Sequence, residues 1–229
     1  MKWNKINADS FNISLTSDPL YLEIDNNTKL DILVNEGIQS KLVIIGNNNY
    51  DINIKLEKEA GLIVNSLNKN NSVNANISLL ENASIIYNHS VLAINDSVNN
   101  FNILHLDNSS ISSLNNNGIN KENNKLFFNI DGVINKELKD ITCNQSSKII
   151  NFKDGNSKII PNLIISSNDI IANHSAYIGE ISEEELFYMK SRGISELDIK
   201  KLIYKAVLLG KMDLDEECEE FNKRINEWW

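Results

Sequence analysis

Asn173-His174-Ser175-Ala176-Tyr177-Ile178-Gly179-Glu180-Ile181-Ser182-Glu183-Glu184-Glu185-Leu186-Phe187-Tyr188-Met189-Lys190-Ser191-Arg192-Gly193-Ile194-Ser195 divides the chain into two texts. Before it the sequence is Asn-rich, poor in charge and built of short apolar runs. After it the sequence is acidic and helical. Of 39 asparagines, 37 lie at or before Asn173. AT-rich codons enrich Asn, Lys and Ile alike, but they do not explain why Asn nearly vanishes after residue 173. A turn-rich body does, since Asn tolerates left-handed backbone and suits tight turns.

Working back from the junction, residues from about Leu20 to Ala172 alternate or run apolar over short spans. Examples are Leu20-Tyr21-Leu22-Glu23-Ile24, Ile52-Asn53-Ile54-Lys55-Leu56 and Val73-Asn74-Ala75-Asn76-Ile77-Ser78-Leu79, separated by breaks such as Gly46-Asn47-Asn48-Asn49. Period-2 patterning with turn signals about every 10 residues is the all-β signature. A sandwich, a barrel and a β-solenoid all fit it. Scarce aromatics and an Ile/Leu/Val interior favour the solenoid, in which Asn at repeated corners can form ladders between coils. No strict fixed-length repeat supports that choice. A solenoid also needs its ends covered, and the C-terminal segment is the expected cover for one of them.

Working forward, Ser182-x-x-Glu185 is a capping box followed by a helix to about Arg192, with Gly193 placed to stop it. A second helix begins at Ser195-x-x-Asp198 and ends at Gly210, with Ile199, Leu202, Ile203, Ala206 and Val207 as its expected apolar face. A third carries Leu214, Cys218, Phe221, Ile225 and Trp228 at 4-3-4-3 spacing. Trp228-Trp229 at the end of the chain is expected to pack onto the protein's own core. The organisation expected is an N-terminal segment over 1–19, a β core over 20–181 and a helical domain over 182–229.

A chain of 229 residues can bury a substantial core. Its net charge of -9 and pI near 4.9 argue against nucleic acid, whose phosphates call for a basic face. No run approaches the roughly 18 apolar residues of a membrane span, and the first residues lack a secretory h-region. The expectation is a cytoplasmic protein without a membrane partner. Cys143 and Cys218 sit in unlike contexts and suggest no disulfide. Neither a P-loop nor a G-x-G-x-x-G is present, so nucleotide hydrolysis is not expected of this chain.

The junction carries a resemblance. His174-x-Ala176-x-Ile178-Gly179-x-Ile181 with Leu186-Phe187-Tyr188-Met189-x-Ser191-Arg192-Gly193-Ile194 resembles the C-terminal signature of the SufB/SufD family, the scaffold subunits of SUF iron–sulfur cluster assembly. Ser146-Ser147-Lys148-Ile149-Ile150 and Ile160-Pro161-Asn162-Leu163-Ile164-Ile165 resemble its lead-in, over about residues 145–210 in all. The resemblance implies a right-handed parallel β-helix followed by a small α-helical domain. It implies a non-catalytic scaffold that docks a SufC-like ABC ATPase on the helices and pairs with a SufB-like subunit through the β-helix. Where the B-type subunit carries a cysteine and an acidic residue, this chain has Gly155 and Ser175, so it looks D-like. Strand-like text begins where the family usually has an N-terminal helical region, which marks a short form.

The resemblance makes His174 the candidate ligand for iron or a nascent cluster, with thiolates from the partner. It implies no stably bound cofactor, only transient iron or iron–sulfur cluster in the complex. Leu186, Phe187, Tyr188, Ser191, Arg192, Gly193 and Ile194 become the candidate ATPase-docking region. Arg192 is expected to fork onto a carboxylate or onto helix-end carbonyls. His89, His105, Cys143 and Cys218 are expected to be packing residues, since no metal-ligand spacing links them. Two rival readings remain. One is a homodimeric D-like scaffold without a B-type partner. The other is a carbohydrate-active β-helix enzyme, disfavoured because the body has no arginine before Arg192.

Overall fold

The computed structural model describes residues 2–152 and 155–228. Fifteen strands among them wind into a solenoid of two parallel sheets. The eight-stranded sheet runs β1 (Trp3–Ile6), β3 (Leu20–Ile24), β5 (Gln39–Gly46), β7 (Gly61–Lys69), β9 (Ser84–Ala93), β11 (Ile111–Asn120), β13 (Lys139–Asn151) and β15 (Asp169–Glu180). The seven-stranded sheet runs β2 (Ser10–Leu15), β4 (Thr28–Val34), β6 (Tyr50–Leu56), β8 (Val73–Leu79), β10 (Ser97–His105), β12 (Lys125–Ile134) and β14 (Asn156–Ile165). Successive strands alternate between sheets, so each pairs with the strand one coil away. The parallel β-helix architecture thus holds, and the sandwich and barrel do not.

Strand pairing begins at Trp3, well ahead of the expected Leu20. Tyr21 pairs with Trp3 and Leu30 with Phe11, and Ile6 and Leu15 are buried in the stack. These strands have only four and six residues, too short for their alternation to stand out. The elusive repeat has an equally physical cause. Laddered residues on successive coils are separated by 22, 23, 26, 29 and 31 positions, so the coils lengthen along the chain.

Asparagine links the coils at corners, as where Asn47 Nδ2 donates to Asp25 Oδ1 at 2.9 Å and Asn71 Nδ2 to the Asn48 carbonyl at 3.0 Å, and it also forms ladders along the flat outer face. Asp51, Asn74, Asn100 and Asn129 form one ladder, each amide donating to the side chain a coil below at 2.7 Å. Asp31, Asn53 and Asn76 form a second at 2.6 and 3.1 Å. Parallel in-register strands place like side chains about 4.8 Å apart, so an amide can donate to one neighbour and accept from the other. One left-handed corner stacks as Gly37, Glu59, Asn82, Ser109 and Asp140, of which only Asn82 is asparagine.

Helices α1 (Glu183–Ser191), α2 (Glu196–Leu209) and α3 (Cys218–Glu227) follow. They do not cover an end of the solenoid, as expected, but lie along the outer face of the eight-stranded sheet. Val43, Ile45, Leu67, Leu92, Ile119 and Ile150 point outward there and pack with Tyr204, Leu208, Phe221, Ile225 and Trp228. A sheet with apolar side chains on both faces needs cover on both, and the helices supply it. Ser90 Oγ also donates to the Leu208 carbonyl.

The buried stripe of α2 is rotated from the expected face. Ile199, Tyr204 and Leu208 are buried, whereas Leu202 is 54% exposed and Ala206 is exposed. The outward sheet residues select the stripe that lets Tyr204 reach Phe152, with ring centroids 5.0 Å apart. α3 buries Phe221, Ile225 and Trp228 as its spacing predicts, while Trp229 lies outside the described residues. None of the helices among the described residues is long and apolar enough to cross a membrane.

Candidate functional site

The C-terminal rim of the solenoid is formed by β14 and β15, each the last strand of its sheet. One edge of each therefore lacks a strand partner among the described residues. Exposed apolar side chains crowd this rim: Ile164, Ile171 at 62%, Tyr177 and Ile178. An open edge flanked by exposed apolar groups is a template for association.

Register places His174 in this rim. Along β13 the residues Ile141, Cys143, Gln145, Ser147 and Ile149 are buried and face inward. Gln145 pairs with His174, and paired residues of parallel strands share a face. One inner column thus reads Leu20, Leu42, Val64, Tyr87, Leu114, Gln145 and His174 from coil to coil. It is apolar except for tyrosine's hydroxyl until its last two members. His174 is solvent-exposed because no further coil covers it. Neutral imidazole is a competent ligand for borderline metals.

No group of three or more His, Cys, Asp or Glu gathers among the described residues. His174 is thus part of no such group, and in the reading proposed below the remaining ligands come from another chain. Cys143 lies one coil deeper, fully buried, in a small cluster with Ile134 and Ile141. Burial pushes its thiol pKa up, which suits a packing residue better than a thiolate ligand.

The other two histidines are fully buried. His89 Nδ1 lies 3.1 Å from Ser66 Oγ and 3.2 Å from Asn68 Nδ2, and burial lowers its pKa to about 3. His105 sits between the Ser110 and Ser112 hydroxyls at 2.7 and 2.9 Å, with its pKa lowered to about 4 by burial. Both stay neutral at physiological pH.

Ile181 and Ser182 lead from β15 straight into α1. The capping box forms: Ser182 Oγ accepts from Glu185 N at 3.1 Å, and Glu185 Oε2 accepts from Ser182 N at 3.1 Å. Gly193, at φ +81, reverses the chain after α1. α1 buries none of its residues. Phe187 is 74% exposed and Tyr188 nearly as open, and Leu197 and Leu202 of α2 add to the exposed apolar surface. Leu186 and Ile194 are half-buried and tie the helix down. Ser191 Oγ donates to the Tyr188 carbonyl at 2.7 Å.

Arg192 does not fork onto a carboxylate. Its guanidinium lies over the Tyr188 ring, 5.3 Å from the centroid, and donates to the Tyr188 hydroxyl at 3.3 Å. Tyr188 stands one turn before it, the nearest surface available to the long side chain. Lys190 and Lys200 flank Glu196 at 2.7 and 2.9 Å and hold its carboxyl down to about 2.

The sequence pattern did not point to Gln145 or Gly132, which sit just inside the rim. A Cβ on Gly132 would come within 2.7 Å of Gln145 Nε2 and 2.9 Å of Cys143 Sγ. They meet across the solenoid interior, from facing strands of the two sheets.

Comparison with known proteins places this arrangement. A family model described as "SUF system FeS cluster assembly, SufBD core domain" matches residues 35–207. The iron–sulfur cluster assembly protein SufD of Bacillus subtilis is 25% identical over 107 residues, covering 46% of this chain and 24% of that protein. SufD of Escherichia coli is 39% identical over 46 residues, covering 20% of this chain and 11% of that protein. A SufBD family protein of Mycobacterium bovis is 31% identical over 70 residues, covering 29% and 18%. The matched segments span a quarter or less of these relatives' length.

Proposed function

Because the chain belongs to the SufBD core family of the SUF iron–sulfur cluster assembly system, we propose that it is a non-catalytic scaffold subunit of such an assembly complex. The observation that carries this reading is the C-terminal rim, where an inner column of apolar residues ends in exposed His174 between two unpaired strand edges. In this reading a SufB-like subunit sits against β14 and β15, adding its own strands to the open edges. Its thiolates complete a ligand set to which His174 contributes one imidazole. Iron or a nascent cluster is the cargo, held during assembly and then released. The chain is D-like, with Gly155 and Ser175 at positions that offer neither thiolate nor carboxylate.

The exposed aromatic surface of α1, with Leu197 and Leu202, is the proposed seat of a SufC-like ATPase in the cytoplasm. ATP hydrolysis belongs to that partner. Since β15 runs directly into α1, a displacement of the helix by the ATPase is delivered to the strand that carries His174.

Co-purification with SufB-like and SufC-like proteins tests the reading. Stable complexes with both are expected, and His174→Ala is expected to reduce cluster assembly while leaving the complexes intact. Normal assembly by that variant removes the ligand role. Failure to bind either partner removes the scaffold role as stated, and a stable homodimer by light scattering favours a self-pairing D-like scaffold.

A further inference from the structure

Gln145 is the neighbour of His174 in the inner column and the residue closest to it in chemistry. Its side chain is 3% exposed. Nε2 donates to the Asn162 carbonyl at 3.1 Å, across the interior on β14. A carbonyl only accepts, so this bond fixes which end of the amide is which. Oε1 is consequently turned away from β14, buried and without a hydrogen-bond partner. A buried acceptor left unpaired is unusual and asks for a donor.

Room for this amide is made at the expense of a side chain on β12. With a Cβ at Gly132 only 2.7 Å from Gln145 Nε2, any other residue there would displace the glutamine. The donor nearest in register is the imidazole N–H of His174, one strand spacing away, about 4.8 Å between backbones. The His174 side chain makes no hydrogen bond or ion pair among the described residues.

We propose that Gln145 Oε1 accepts a hydrogen bond from one ring nitrogen of His174 and holds the neutral imidazole in a single tautomer. The other nitrogen then presents its lone pair out of the rim, toward the partner side. A hydrogen bond to the distal ring nitrogen is how proteins commonly set tautomer and ring direction of a ligating histidine. Gln145 is a positioning residue: it touches His174, not the cargo. What the lone pair serves rests on the function proposed above, but the tautomer itself does not.

Long-range 15N–1H correlation spectra of the full chain at alkaline pH read the tautomer directly. The chain has three histidines, so His89 and His105 act as internal standards. The wild type is expected to show one His174 tautomer in excess by roughly tenfold, the worth of a typical net hydrogen bond. Gln145→Leu is expected to bring the two forms toward parity. Gln145→Glu, which keeps an acceptor, is expected to restore the preference. An unchanged ratio in Gln145→Leu, with the His89 and His105 signals in place, overturns the proposal. Should that variant disturb the interior histidines, Gly132→Ala decides instead, and a His174 ratio unmoved by it overturns the proposal equally. Titration with Co(II) of the chain in complex with a SufB-like subunit answers the separate question: absence of broadening at His174 there counts against the ligand reading and leaves the positioning intact.

Discussion

Replacing Lys41 by methionine tests what seats the helical domain on the solenoid. Lys41 Nζ lies 2.6 Å from Glu217 Oε1 and 3.1 Å from Asp215 Oδ2, and donates to the Asp213 carbonyl at 3.1 Å. Its side chain is 15% exposed, while that of Glu217 is fully buried with Oε2 unpaired. Lys41→Met keeps the apolar stem but leaves Glu217 facing one amide, Asn65 Nδ2 at 3.3 Å. Breaking a buried pair from one side costs about 3–5 kcal/mol, because a charge stays behind without its partner. Removing both charges in Lys41→Met/Glu217→Leu avoids that penalty and is expected to recover most of the loss. Urea unfolding followed by tryptophan emission is the assay. Trp228 lies in the cluster beneath α3 and Trp3 packs against it, so emission reports undocking of the helices. A loss below about 1 kcal/mol in the single variant, the size of an exposed pair, refutes the reasoning. So does a double variant as unstable as the single one.

Acid should weaken the fold through its interior histidines. His89 and His105 have folded pKa values near 3 and 4, against about 6.5 unfolded. Only the unfolded chain takes up protons between these limits, so stability is full above pH ~6.5 and falls as pH drops toward 4. Each histidine adds a slope of up to about 1.4 kcal/mol per pH unit, and His89→Gln should flatten the measured profile. Phe187→Asp combined with Leu202→Asp should abolish binding of a SufC-like ATPase in a pull-down. Thermal unfolding of that variant should match wild type within about 0.5 kcal/mol, since both side chains are exposed. Ile171→Lys with Tyr177→Asp places charges on the C-terminal rim and should prevent pairing there, scored by light scattering, at unchanged fold stability. Leu208→Ala opens a cavity beneath α2 and should cost about 2–5 kcal/mol in urea unfolding.

How much of the candidate site was legible depended on the range of the interactions involved. The junction, the capping box at Ser182 and the stop at Gly193 are written in residues a few positions apart, and their hydrogen bonds form as the text suggests. His174 was legible as a residue, and so were Phe187 and Tyr188. The packing of α2 was not. Helical periodicity offers more than one apolar stripe along Ile199–Leu209, and the outward side chains of β9 and β11 choose among them. The same selection left Leu202 in solvent. Arg192 likewise took the tyrosine ring one turn away rather than a distant carboxylate.

Alternation and turn residues alone determined that the body is strands, that the tail is helices, and where one gives way to the other. These are short-range properties: a side chain's face follows from its parity, and a cap is completed within one turn. Tertiary structure alone decided the coil register, the placement of the helices along a sheet rather than over an end, and the pairing of Gln145 with His174. Such pairings join residues some 29 positions apart, as between Asn144 and Asn173. Their register depends on every connection length between them, and those lengths change from coil to coil. A local pattern cannot sum them, but the closed solenoid does.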